Sequence, residues 1–172
     1  PIIAVNDSFL LVNSDVLYYA DRKWIEWNHN SRDVAGFGGR YIVTRVPHRP
    51  GHPLAKLVGC DQRETTSLSR DPRIVAGWCS GSNALNLAYH FGMREIILVG
   101  FDMHGGNWHA RHQTPKRPEC YAQDFIPYFE RMAVALANEG VRVVNATPGS
   151  RMTCFPIMTL REAIGHDNRL RR

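Results

Sequence analysis

Residues 80–102, SGSNALNLAYHFGMREIILVGFD, hold a helix and a strand joined through a glycine. Ala84, Leu87, Ala88 and Phe91 recur at the spacing that places them on one helical face. Ser80 or Ser82 stands where a hydroxyl can accept from the free N–H groups of a first turn, and Gly92 stands where a helix ends in the left-handed conformation. The run EIILV shows no alternation of apolar and polar residues, which is the pattern of a strand buried on both faces of a parallel sheet. A helix that feeds such a strand is half of an α/β crossover.

The same alternation extends outward in both directions. Residues 121–139 put Phe125, Tyr128, Phe129, Met132 and Leu136 on one helical face and stop at Gly140. VRVVNATPGS then reads as strand and turn, and TLREAI opens a last helix. Upstream, PIIAVN and DVLYYAD read as buried strands, with room for one or two helical turns in NDSFLLVNS between them. RKWIEWNHN predicts a short helix and RYIVTRV another strand. Helices alternating with apolar strands predict an α/β fold, a Rossmann-like three-layer sandwich with a mostly parallel sheet, formed as a single domain over residues 1–172. Residues 47–73 break the pattern with Pro47, Pro50, Pro53, Pro72 and the polar run DQRETTSLSRD, and predict a weakly ordered irregular excursion.

A chain of 172 residues buries about two-thirds of the surface its unfolded form exposes, so neither disulfides nor metals are needed for stability. Hydrophobic residues at 44% and charged residues at 22% exclude disorder as the default state. No run approaches the roughly 18 apolar residues of a membrane span, and no secretory leader opens the sequence, so a cytoplasmic location is expected. Cys60, Cys79, Cys120 and Cys154 form no CxxC pair and are expected to be reduced thiols. The net charge of +5 and a pI near 9.3 admit an anionic partner. Much of the excess lies in a basic tail, Arg169, Arg171 and Arg172, and no basic stripe interleaved with aromatics marks a dedicated nucleic-acid surface. Trp24, Trp27 and Trp108 either cover the core or mark a contact between copies in a homo-oligomer, and the first two are expected in the core.

Open α/β sheets bind ligands beyond the carboxyl ends of their strands. Asn6 and Asp7 after the first strand, Asp21 after the second, GFDMHGG after the central one and NATPGS, with Asn145, after the last would all reach that edge. Each also suits turn backbone. GWCSGSNA, residues 77–84, places small residues at a helix start, where free N–H groups attract phosphate or carboxylate, and this assigns Ser80, Gly81 and Ser82 to an anion. AGFGGR, residues 35–40, is a weaker signal because it leads into a strand. Asp102, His104, His109 and His112 admit three readings: a general base with its orienting partners, a metal set, or a polar loop. Imidazole titrating near neutrality suits the base, whereas His-x4-His-x2-His is not an established metal-ligand spacing, and no metal is expected. His29, His48, His52, His90 and His166 are read as ordinary residues.

SGSNALNLAYHFGMREIILVGFD resembles the stretch of bacterial sialyltransferases and of the related MptE-like and DUF115 proteins in which a Ser-Gly helix start leads through A-x-x-L-G-x-K-E-I to a strand ending Gly-x-Asp. IIAVNDSFLL with DVLYYAD is similar to that group's strand ending in Asn before an aromatic stretch, and NATPGS to its N-x-T-p-x-S turn. Outside residues 47–73 the whole chain looks like a set of phage and prophage proteins carrying VND, ADVLYACD and N-A-T-P-G-S. The resemblance implies a nucleotide-binding, glycosyltransferase-like transferase that uses a nucleotide sugar as donor and no further cofactor. It implies that Asn6 contacts the nucleotide sugar, that Ser80, Gly81 and Ser82 line the nucleotide pocket, and that His112, or else His109, is the general base, oriented by Asp102 or Asp124. The group's Gly-x-Gly-Pro-Ser phosphate loop would precede this chain's first residue, and its tyrosine two residues past the Gly-x-Asp aspartate is His104 here. Two other classes compete: an accessory binding module that keeps the fold without the chemistry, and a metal-dependent hydrolase built on Asp102, His104, His109 and His112.

Overall fold

The computed structural model describes residues 1–28, 31–45, 55–61, 67–106, 117 and 119–170, and the chain divides into two compact units. Pro1–Glu64 with Ser69–His90 form the first, and Thr65–Leu68 with Phe91–Arg172 the second.

The first unit runs β1 (Ile3–Val5), a 3-10 helix (Asn6–Leu10), β2 (Val16–Tyr19), α1 (Arg22–Asn28), α2 (Arg32–Ala35), β3 (Tyr41–Thr44), β4 (Ala55–Leu57), β5 (Gly59–Asp61), β6 (Ile74–Ala76) and α3 (Ser80–His90). β1 to β4 pair in sequence order, every pair parallel, and β5 pairs β6 in parallel. All four β2 residues are buried, and their alternation divides the core. Val16, Tyr18 and Ala20 pack with Val43, Val75, Ala84 and Leu87 toward α3, while Leu17 and Tyr19 pack with Trp24, Ile25, Val34 and Ile42 beneath α1 and α2. Helices thus cover both faces of β2, the condition under which a parallel strand reads as a continuous apolar run.

The second unit runs β7 (Glu95–Leu98), a π-helical turn (Tyr121–Phe125) that continues into α4 (Ile126–Asn138), β8 (Arg142–Asn145) and α5 (Leu160–Leu170). β7 and β8 pair in parallel. α4 buries Tyr128, Phe129, Met132, Ala135 and Leu136, and Phe129 meets the rings of Phe101 and Phe155 edge-on. Ala163 of α5 packs with Val144 and Ala146. Among the described residues no helix is long and apolar enough to cross a membrane.

An α/β fold with parallel strand pairing is what the sequence predicts, and several details differ. The described strands form one four-stranded and two two-stranded sheets instead of one continuous sheet. The strand buried on both faces is β2; Ile96 and Ile97 of β7 are only half-buried, and Glu95 sits by Arg142 at 3.6 Å. An unbroken apolar run shows that a strand is apolar, not how many neighbours it has. The span 47–73 is not wholly irregular, because β4, β5 and Ser67 to Ser69, which are buried, fall inside it; three-residue strands are too short to show a period. Trp24 is 5% exposed but Trp27 is 40% exposed, since residues three apart on a seven-residue helix need not share its buried side. Phe91 lies beyond the last turn of α3 and is exposed, and Gly92, with φ +76°, ends the helix as expected.

Candidate functional site

The first unit brings its candidates together where β6 turns into α3. Gly77 has φ +147°, and a Cβ there would lie 2.4 Å from both Ser82 Oγ and Asn83 Nδ2, so only glycine lets the strand end approach the helix start this closely. The cap is Cys79, not Ser80. Its carbonyl accepts from Asn83 N at 3.1 Å and its sulfur from Ser82 N at 3.5 Å, while Ser82 Oγ reaches back to accept from Cys79 N at 3.2 Å. This is a capping box with a thiol in place of the usual hydroxyl. It engages the Ser82 side chain, which is buried, and leaves Ser80 and Gly81 half-buried in the first turn.

Three enclosed polar atoms at this edge have no hydrogen-bond partner among the described residues: Asn6 Oδ1, Tyr18 Oη and Asn83 Oδ1. Asn83 is fully buried, and its amide orientation is fixed because Nδ2 donates to Ala76 O at 3.0 Å, which leaves Oδ1 as the idle acceptor. Tyr18 is fully buried on the α3 side of the sheet. Burial pushes its phenol far above the ordinary tyrosine range, the Cys60 sulfur adds to this, the Arg45 guanidinium opposes it, and Asp21 and Cys79 raise it further. Asn6 directly follows the Val5↔Tyr18 pairing and holds φ 51°. Leaving such a group without a partner costs about 1–3 kcal/mol, so three at one sheet edge call for an explanation.

Arg45 continues the edge beyond β3. It donates from Nε to Ala20 O at 3.2 Å and from a terminal nitrogen to Cys60 Sγ at 3.2 Å. Asp21 lies exposed beside it in the chain order of the edge, after β2. Asp7 does not face outward: it is buried and accepts from the Trp24 indole at 2.7 Å, which ties the 3-10 helix to α1.

In the second unit GFD and NATPGS meet, as expected of two strand ends at one edge. Phe101 N donates to Thr147 Oγ1 at 3.0 Å, Ser150 Oγ donates to Phe101 O at 2.5 Å, and Arg151 N donates to Asp102 O at 2.9 Å. Asp102 and His104 are exposed on this loop, and Tyr121 Oη donates to Gly106 O at 3.1 Å at its far end. Asn145 is fully buried. Its backbone bonds Pro156 O and Met158 N, and its Oδ1 has no partner among the described residues. Asp124 is exposed on the π-helical turn. His109, His112 and Trp108 lie outside the described residues. Among the described residues no three His, Cys, Asp or Glu side chains gather as metal ligands would.

Tyr18, Arg45, Cys60, Cys79 and Asn83 were not legible as site residues. Tyr18 reads as core, Asn83 as a helix-face residue, and Arg45 and Cys60 flank an irregular span; proximity of strand ends is their only common signal. The weak AGFGGR signal has a counterpart too. A cavity of about 430 Å³ opens beside the 3-10 helix and α2, lined by Phe9, Ser14, Arg32, Asp33, Phe37 and Gly38. No protein-family model, curated protein or solved structure matches the chain.

Proposed function

We propose that the first unit binds a nucleotide or nucleotide sugar at the carboxyl edge of its parallel strands, and that the protein is a glycosyl or phosphoryl transferase with His112, or else His109, as general base. The observation that carries the binding half is the set of enclosed atoms without a partner among the described residues, Asn6 Oδ1, Tyr18 Oη and Asn83 Oδ1, at the strand edge where the eleven-residue helix α3 starts. Two are amide oxygens, which accept from the N–H of a base or the O–H of a sugar, and the third is a hydroxyl that both donates and accepts. Arg45 and the first-turn N–H groups supply positive potential for phosphate, in keeping with the net charge of +5. The catalytic half rests on the sequence resemblance and on the chemistry of imidazole, which takes a hydroxyl proton near neutral pH.

The test is a thermal-shift panel of CMP, CDP, UMP, UDP, GDP and CMP-sialic acid at millimolar concentration. A ligand at one hundred times its dissociation constant stabilises by about 2.7 kcal/mol, and the expected result is a base-selective shift that Asn83→Ala removes. His112→Ala is expected to retain the shift and lose turnover. A flat panel overturns the nucleotide reading.

A second reading, an accessory binding module without turnover, has its own support, because Asp7 is engaged by Trp24 and Ser82 by the α3 cap, so two candidates serve the fold. A normal shift with no turnover toward any hydroxyl acceptor favours that reading.

A further inference from the structure

We propose that Cys60 is a modification site, a nucleophilic thiol that exchanges with small anionic disulfides. Two nitrogen donors converge on its sulfur: a terminal nitrogen of Arg45 at 3.2 Å and Asn83 Nδ2 at 3.7 Å. The sulfur also donates to Gly77 O at the longer 3.8 Å. Attack on a disulfide is made by the thiolate form of a cysteine, and both donors meet the sulfur where that charge resides. The surroundings are otherwise unspent. Asn83 Oδ1, on the same amide that touches the sulfur, and the Tyr18 hydroxyl, on which Cys60 acts more strongly than any other ionisable neighbour, are fully buried and have no partner among the described residues. They offer an acceptor and a donor to a group that arrives at the sulfur. Cys60 is half-buried, so a small reagent reaches it, and the Arg45 guanidinium favours a reagent that carries a carboxylate. Asp21 and Cys79 also act on the Tyr18 phenol, and the Asp21 carboxylate opposes such a reagent.

The remaining thiols are set differently. The Cys79 sulfur caps α3, Cys120 is buried, and burial pushes the Cys154 thiol up to about 11. In the exchange the Cys60 sulfur bonds to one sulfur of the reagent, the reagent's S–S bond breaks, and its second sulfur leaves with the electron pair as a thiolate. The protein thiol is oxidised to a mixed disulfide, and the reagent is the oxidant.

Arg45, Tyr18 and Asn83 belong also to the edge assigned to the nucleotide, but thiol exchange does not depend on that reading, and its test needs no nucleotide. The full chain is treated at neutral pH with dithiobis-nitrobenzoate, an anionic disulfide whose leaving thiolate is coloured, and separately with neutral dithiodipyridine; the modified cysteine is then located by peptide mapping. The expected result is a single fast thiol that maps to Cys60 and reacts at least about tenfold faster than Cys154. Arg45→Gln is expected to slow that phase about tenfold with the anionic reagent and less with the neutral one, and Arg45→Lys to restore most of the rate. A fast phase that maps to another cysteine overturns the proposal, as does an Arg45→Gln chain that reacts at the original rate with both reagents. Mapping uses the unaltered chain, so it decides even where a variant fails to fold.

Discussion

Asn6 holds a left-handed backbone at φ 51° while its side-chain oxygen lies enclosed without a partner among the described residues. Asparagine tolerates this conformation better than other residues with a Cβ, which pay roughly 1–2 kcal/mol for it. The residue therefore has two separable roles. Asn6→Gly is expected to fold with almost unchanged stability, and Asn6→Ala to lose about 1 kcal/mol, measured by chemical denaturation. Both are expected to weaken the ligand-induced thermal shift equally. A shift that survives in Asn6→Gly removes the side chain from the site. Met103 shares the geometry at φ 56° with a buried side chain, in the loop that carries Asp102 and His104. Backbone held in this region costs free energy that the surrounding contacts must offset.

At the scale of elements, α3 shows why an amphipathic reading was incomplete. Ala84, Leu87 and Ala88 are buried as their spacing predicts, yet Ser82, Asn83 and Asn86 are buried as well. Asn86 satisfies backbone groups from two other segments: its Oδ1 accepts from Ser69 N at 2.9 Å and Ala76 N at 2.7 Å, and its Nδ2 donates to Ser69 O at 3.0 Å. It stands in for the strand neighbour that these groups lack. Asn86→Ala strands two buried donors and an acceptor, each worth about 1–3 kcal/mol, so a loss of several kcal/mol is expected in denaturant unfolding, well beyond Leu87→Val. α5 opens differently, with Glu162 accepting from Thr159 N at 2.8 Å and from Thr159 Oγ1 at 2.7 Å. The spacing T-x-x-E was available in the sequence as a capping box. These bonds hold the Glu162 carboxyl below its usual range. A depressed value means that the cap contributes fully above the ordinary glutamate value of about 4.3 and is lost as pH falls through the lower folded value. Amide exchange in the first turn of α5 is expected to accelerate over that acid interval in the natural chain and to be fast at every pH in Glu162→Ala.

Across the whole molecule, the parallel pairing of β1 to β4 and of β5 with β6, with α3 packed on them, brings chain positions as distant as Asn6, Tyr18, Arg45, Cys60 and Asn83 to one edge of the first unit, while a second set, Asp102, Thr147 and Ser150, forms in the other. Helices, strands and their alternation could be read directly: α3 and α4 through their 3.6-residue period, Gly92 and Gly140 through their place at helix ends, and the parallel class through apolar strands separated by helices. Those features depend on local propensity and on burial, which a linear sequence records. The candidate site was legible only at its strand ends and helix start. Whether Asp7 faces solvent or an indole, whether Ser82 waits for an anion or closes a cap, and whether Tyr18 is core or pocket depends on a partner far away in the chain. Strand order and register choose that partner, and they are fixed by packing both faces of β2 at once, which no single segment encodes. The sequence by itself thus determined the class of fold and the direction of its strands; only the tertiary structure decided which polar atoms remain without a partner, because hydrogen-bond satisfaction is a property of the assembled interior.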